Sequence, residues 1–176
     1  MSADEVLHFW FQQCRPWQWF RRRDSFDAIV RDRFAALVEK ALAGELQAWA
    51  DNPSSGLALV LLLDQFSRQI WRGEARAFAG DWQAQQLSQE ALQRGWLNDE
   101  VERARRQFWL MPLLHSEEEE MVAQAIPLLE RWVDAATAQV ARRNLIVLQR
   151  FGRYPRRNAA LGRISSRDEI AWMSLV

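Results

Sequence analysis

The most apolar run of the chain, GLALVLLLDQFSRQIW from Gly56 to Trp71, contains a single acid, Asp64. A carboxylate taken out of water needs a cation, several hydrogen bonds or a proton. Arg68 and Arg72 follow one and two helical turns later, so all three residues share one face of a helix. Two readings follow. Either Asp64 makes an internal salt bridge, to Arg68 or to an arginine from elsewhere, or this polar stripe lines a cleft where its charges meet a ligand. Desolvation offsets most of the attraction in a buried ion pair, so stability alone is a weak reason for such a stripe.

A second concentration of chemistry is QRFGRYPRRNAALGR, Gln149 to Arg163, with five arginines. Gly152 and Pro155 predict a sharp turn after a helix, and Gly162 predicts another. Guanidinium forks suit carboxylate or phosphate. They also suit helix C-termini, loop carbonyls and the acidic run Glu117–Glu120. His115, in PLLHSEE, precedes a helix start. It can pack there, meet an anion, or exchange a proton beside Glu117 or Glu118. With only His8 and His115 in the chain, zinc is not indicated. Oxygen ligation of an ion by Asp64, Asp81 and the glutamates stays open, but no metal or cofactor is expected.

These residues need a scaffold of helices. Apolar positions recur at three- and four-residue steps from Phe26 to Leu42, after a cap at Ser25 and before a stop at Gly44. DNPSSG then opens the apolar Asp64 helix, which reads as central. A helix over residues 75–94 places Phe78, Trp82 and Leu87 inward. The next starts at Asn98 or Asp99, carries Phe108 and Trp109, and stops near Pro112. Ser116 and Glu119 form a capping-box pattern for a helix that Pro127 should kink or split. Helix resumes to Arg150, and Ser166 with Glu169 predicts a last short helix. No run alternates with period two. The fold class is all-α, built from antiparallel helix pairs in one domain spanning residues 1–176.

Composition sets outer limits. The chain has 176 residues and zero formal net charge, which speaks against nucleic-acid binding. Its longest apolar run, LALVLLL, is far short of the roughly 20 residues that span a bilayer. MSADEVLHFW lacks a basic leader region. One cysteine, Cys14, precludes an internal disulfide. A cytoplasmic protein is expected. No phosphate-loop, nucleophile-elbow or dinucleotide glycine motif is present. The ten tryptophans read mainly as core. The alternative for Trp10, Trp17 and Trp19, beside Arg21–Arg23, is a surface patch for a protein partner.

HFWF, LLLDQFSRQIWRG, ARAFAGD, MPLLHSEEEE and RFGRYPRRNAALGR occur in this order. Together they make nearly the whole chain resemble the bacterial family called domain of unknown function 924. The resemblance implies a tetratricopeptide-like right-handed helical array and assigns no activity. Among the matching positions are Asp64, Gln65, Arg68, Arg72, Asp81, His115, Glu117, Arg153, Arg157, Asn158 and Arg163. Where the family usually reads D-Q-F-P-R-N, this chain has Ser67 and Gln69. Where it reads F-G-R-F-P-H-R-N, this chain has Tyr154 and Arg156. An arginine in place of a neutral base favours holding an anion over transferring a proton.

The expected function is binding of a small anionic molecule or a peptide carboxylate. Arg68, Arg72, Arg153, Arg157, Asn158 and Arg163 would form the grip, Asp64 would orient it, and His115 would stand at the rim. One alternative is a hydrolase using Asp64 or His115 as general base. Another is a scaffold that presents a groove to a protein. In all of these readings the late arginine bend is expected to fold back onto Asp64 and supply its counter-ions.

Overall fold

The structure, a computed structural model, describes residues 1–175. The described residues are helical throughout their regular elements, with no strand among them. Among them, no helix is long and apolar enough to cross a membrane.

Helix α1 (Ala3–His8) starts with a reciprocal cap between Ser2 and Glu5 and runs into a wide π-helical turn over Phe9–Gln13. Helix α2 (Pro16–Phe20) is short, and α3 (Asp24–Leu42) is the long amphipathic rod expected from the pattern. Its start lies one residue before Ser25, and Ile29, which fits the apolar spacing, is half-exposed. Asn52 caps α4 (Pro53–Val60) by accepting from the Ser55 N–H. The rod then continues through a second π-helical stretch, Leu61–Phe66, into α5 (Ser67–Ile70). Every residue from Gly56 to Ser67 is buried. Helix α3 packs along the second half of this rod and α1 along the first. Phe34 and Phe66 meet with ring centroids 4.9 Å apart, and Trp10 and Phe66 at 5.1 Å. These aromatic pairs anchor the rod at the centre of the core.

The segment over residues 75–94 departs from expectation. It is a single 3₁₀ turn (Ala75–Phe78) followed, after a break at Ala79 and Gly80, by α6 (Asp81–Gln93). Trp82 therefore points outward, 73% exposed. The break has a steric cause. A Cβ on Gly80 would lie 2.6 Å from the Leu63 carbonyl oxygen, so only glycine lets this chain approach the rod. Asp81 is thereby seated at the start of α6, close to the rod.

Helix α7 (Trp96–Asp99) is one turn, and α8 (Arg103–His115) passes through Pro112 without stopping, three residues beyond the expected end. Helix α9 (Glu119–Trp132) is likewise continuous through Pro127. The Ser116–Glu119 capping box does not form; Ser116 Oγ instead accepts from the Glu118 N–H. Helices α8, α9 and α10 (Ala135–Phe151) pack consecutively, and Gly152, at φ 68°, ends α10 in the left-handed region. After a turn at Pro155–Arg157, the Ser166–Glu169 capping box opens α11 (Arg167–Met173), as the spacing predicts.

Candidate functional site

Asp64 lies inside the π-helical stretch of the central rod and is 1% exposed. Such wide turns are rare and recur at functional positions. Its Oδ1 lies 3.1 Å from Arg68 Nη1 and 2.8 Å from His115 Nδ1, and its Oδ2 accepts from the Gln65 side chain. Burial alone would push this carboxyl up. The Arg68 guanidinium, His115 and Gln65 outweigh it and hold Asp64 well below the usual carboxylate range. An ionised carboxylate only accepts, so His115 Nδ1 must be the donor.

Arg68 does not serve Asp64 alone. Its Nη1 donates to the Asp64 carbonyl oxygen at 2.6 Å, and its Nη2 donates to Asp81 Oδ2 at 2.9 Å. Arg157, from the late bend, also reaches Asp81 Oδ2, at 3.2 Å, and donates to the His115 carbonyl oxygen at 2.6 Å. The contacts close a ring: His115 to Asp64, Asp64 to Arg68, Arg68 to Asp81, Asp81 to Arg157, and Arg157 back to His115. Phe78 supports it between the two guanidiniums, which sit 5.4 and 4.7 Å from its ring centroid. Burial and the charge of Asp64 outweigh the guanidiniums at Asp81 and push its carboxyl up.

The ring corrects the expected source of the counter-ions. Asp64 is neutralised by Arg68 on its own rod and receives a hydrogen bond from His115. The late bend arrives one residue further round, through Arg157 and Asp81.

The remaining expected grips lie outside the ring. Arg72 makes a two-pronged pair with Asp27 of α3, at 2.7 and 2.9 Å. Arg163 forks onto Glu117 at 2.8 and 2.9 Å, and its Nε donates to Asn158. Arg153 forks onto Glu169 at 2.8 and 3.0 Å. Arg153, with the Ser166 N–H and Asn158, holds the Glu169 carboxyl down at about 2. Arg153, Asn158 and Arg163 thus fasten the bend to Glu117 and to α11. Arg150 lies over Phe151 and Arg156 over Trp172.

His115 occupies the last turn of α8, where carbonyls lack helical partners. Side chains from later elements supply them. Asn144 donates to the Leu114 carbonyl at 2.9 Å, Tyr154 donates to the same oxygen at 3.3 Å, and Arg157 serves His115 itself. The imidazole is therefore held at both its backbone and its Nδ1. Its Nε2 makes no hydrogen bond among the described residues and is not enclosed.

His115 forms part of the wall of a cleft of about 180 Å³. Four arginines, Arg21, Arg22, Arg68 and Arg72, line this cleft together with Gln65 and Gln69, and no carboxylate lines it. The Gln69 Oε1 is buried without a partner. In the sequence Arg21 and Arg22 stand only as part of a surface patch with Trp10, Trp17 and Trp19; that patch does not form as expected, because Trp10 is fully buried in the core. The three-residue basic run that holds the two arginines, directly after the aromatic PWQWF turn, was the available signal; its meeting with the Asp64 rod depends on tertiary structure. Cys14 is buried, and burial pushes its thiol up to about 12, so it is a packing residue rather than a nucleophile.

The model of a family described as a bacterial protein of unknown function (DUF924) matches residues 6–175. The chain is also similar to a solved structure of a protein of unknown function from Agrobacterium tumefaciens. The two are 32% identical, the match covers 99% of this chain and 97% of that one, and the TM-score is 0.91. No curated protein matches.

The ring makes a stability prediction. Arg68→Met leaves the buried Asp64 carboxylate without its cation, next to the part-buried Asp81, and should cost about 3–5 kcal/mol in urea unfolding. Unfolded aspartates titrate near pH 3.9. The stability that comes from ionised Asp64 is therefore complete above about pH 4 and drains as pH falls towards its lower native value. In Asp64→Asn the acid limb below about pH 4 should be shallower by up to one proton, about 1.4 kcal/mol per pH unit. An unchanged limb would mean that Asp64 is not charged in the fold.

Proposed function

The chain belongs to the bacterial family of unknown function DUF924, and from its own site we propose that it binds a small anion, a carboxylate or a phosphate, in the arginine-lined cleft beside His115. The observation that carries this reading is the cleft wall, which holds four arginines and no carboxylate and includes His115. Arg68 and Arg72 are held in place by Asp64, Asp81 and Asp27, so their guanidiniums are preorganised. Their charges are largely balanced by these partners. The surplus comes from Arg21 and Arg22 at the rim. Arg21 makes no ion pair among the described residues, and Arg22 has only an exposed contact of 3.6 Å with Asp24.

An entering anion therefore meets two exposed guanidiniums at the mouth and fixed donors within. Guanidinium forks match the two oxygens of a carboxylate or phosphate. Of the arginines expected as grips, Arg68 and Arg72 belong to this site. Arg157 acts behind it through Asp81, and Arg153, Asn158 and Arg163 shape the bend.

The Asp64–His115 pair favours a second reading, a hydrolase. A buried carboxylate that fixes Nδ1 and leaves Nε2 open is the arrangement by which an imidazole takes a proton from water or a hydroxyl. A bound anion would then place its ester bond beside that nitrogen.

Inorganic phosphate at about 100 times its Kd should stabilise the protein by about 2.7 kcal/mol, a rise of several degrees in Tm. The double change Arg21→Gln with Arg22→Gln, at two exposed positions, should abolish the rise while leaving the ligand-free Tm in place. A flat Tm across millimolar phosphate and acetate contradicts the binding reading. For the hydrolase reading, p-nitrophenyl phosphate or p-nitrophenyl acetate should turn over with wild type and fall to the uncatalysed rate with His115→Gln. Equal rates in the two proteins contradict it.

A further inference from the structure

A larger cleft of about 530 Å³ adjoins the arginine cleft. The two share three wall residues, Phe20, Met111 and His115. Away from that shared wall their chemistry differs sharply. The larger one is lined by Leu114, Ala136 and Val140 together with Gln107, Thr137, Arg143 and Asn144, and the surface it exposes is mostly carbon. Phe20 is 56% exposed and Val140 37% exposed, so two apolar side chains stand open to solvent where this cleft begins. Phe20 is stacked on Phe108 at 6.0 Å, so it is anchored to the core. A charged compartment and an apolar one thus meet at His115.

We propose that the ligand is an amphiphilic anion, whose charged head sits in the arginine cleft and whose alkyl or aryl part lies in the adjoining apolar cleft over Met111, Leu114 and Val140. The proposal rests on the anion-binding reading above and adds the second half of the ligand. The shared wall of Phe20, Met111 and His115 supports it, because the two clefts border one another there and a molecule that spans this wall reaches both. Charge placement supports it as well. The arginine cleft offers cations for a head, whereas the apolar cleft offers carbon surface that water leaves favourably. Arg143, which makes no hydrogen bond or ion pair among the described residues, stands at the side of the apolar cleft. It is placed to meet a second polar group on the ligand. Carboxylate and phosphate heads share the chemistry that the arginines recognise, and the choice between them is left to the arms of the test.

The test is calorimetric titration of the full chain with two homologous series below their micelle concentrations. One is acetate, butyrate, hexanoate and octanoate; the other is inorganic phosphate with methyl, butyl and octyl phosphate. Octanol serves as the uncharged control. Affinity should rise along the chain in at least one series, by up to about fourfold per methylene. Val140→Asp, at a partly exposed position, should flatten that rise and leave inorganic phosphate binding as it is. The double change Arg21→Gln with Arg22→Gln should weaken every member of the series alike. If short anions bind and lengthening the chain gains nothing, this proposal fails while the anion reading stands. Octanol binding as tightly as octyl phosphate, or a chain-length rise that survives Val140→Asp, overturns it as well. If no member of either series binds, both readings fall together.

Discussion

A carboxylate sits where the fold is most apolar, and the neighbouring structure is arranged to keep it charged. Asp64 is buried in the middle of the central rod, with Arg68 one turn on and His115 arriving from another helix. Arg68 in turn needs Asp81, and Asp81 draws in Arg157. Any one of these charges alone would be costly so far from water. Joined in a ring, each charge lies beside an opposite one, and four separate parts of the chain must come together for the ring to close, α8 with His115 among them. The rod supplies Asp64 and Arg68, the start of α6 supplies Asp81, and the late bend supplies Arg157. Gly80 admits the α6 segment to the rod, and the Glu117–Arg163 and Glu169–Arg153 forks set the shape of the bend.

The consequence for function lies in what the ring leaves over. His115 is fixed through Nδ1 and through its carbonyl, yet its Nε2 stays open. Arg68 and Arg72 are rigid but electrically balanced, whereas Arg21 and Arg22 bring positive charge without buried partners. A cleft with rigid walls and a surplus at its mouth draws in anions and orders them at little entropic cost. The apolar cleft on the far side of His115 gives the site a direction, from charge to carbon.

Much of this was legible in the sequence, for definable reasons. Asp64 in an unbroken apolar run is a local anomaly, and local anomalies survive folding: the residue is buried, paired and in contact with His115. The helical class followed from periodicity, and the Ser166–Glu169 cap and the Gly152 stop from short-range chemistry. Failures arose where tertiary contact outweighed local pattern. Pro112 and Pro127 did not end their helices, and Trp82 lies on the outer side of α6 because Gly80 breaks the segment against Leu63. The partner of each arginine was also beyond reach, since a guanidinium can satisfy any nearby acid. Arg153 and Arg163 found Glu169 and Glu117 rather than a shared cleft, while Arg21 and Arg22, from a short exposed stretch, came to face the rod.

Asp64 holds His115 through its Nδ1–H and leaves Nε2 without a partner among the described residues. Long-range proton–nitrogen NMR of the imidazole, with His8 assigned by substitution, reads this directly. The account predicts a protonated Nδ1 in His115, with a resonance that moves when Asp64 is replaced by Asn. A bare Nδ1 with the proton on Nε2 would contradict it, because the carboxylate would then have no donor from that ring.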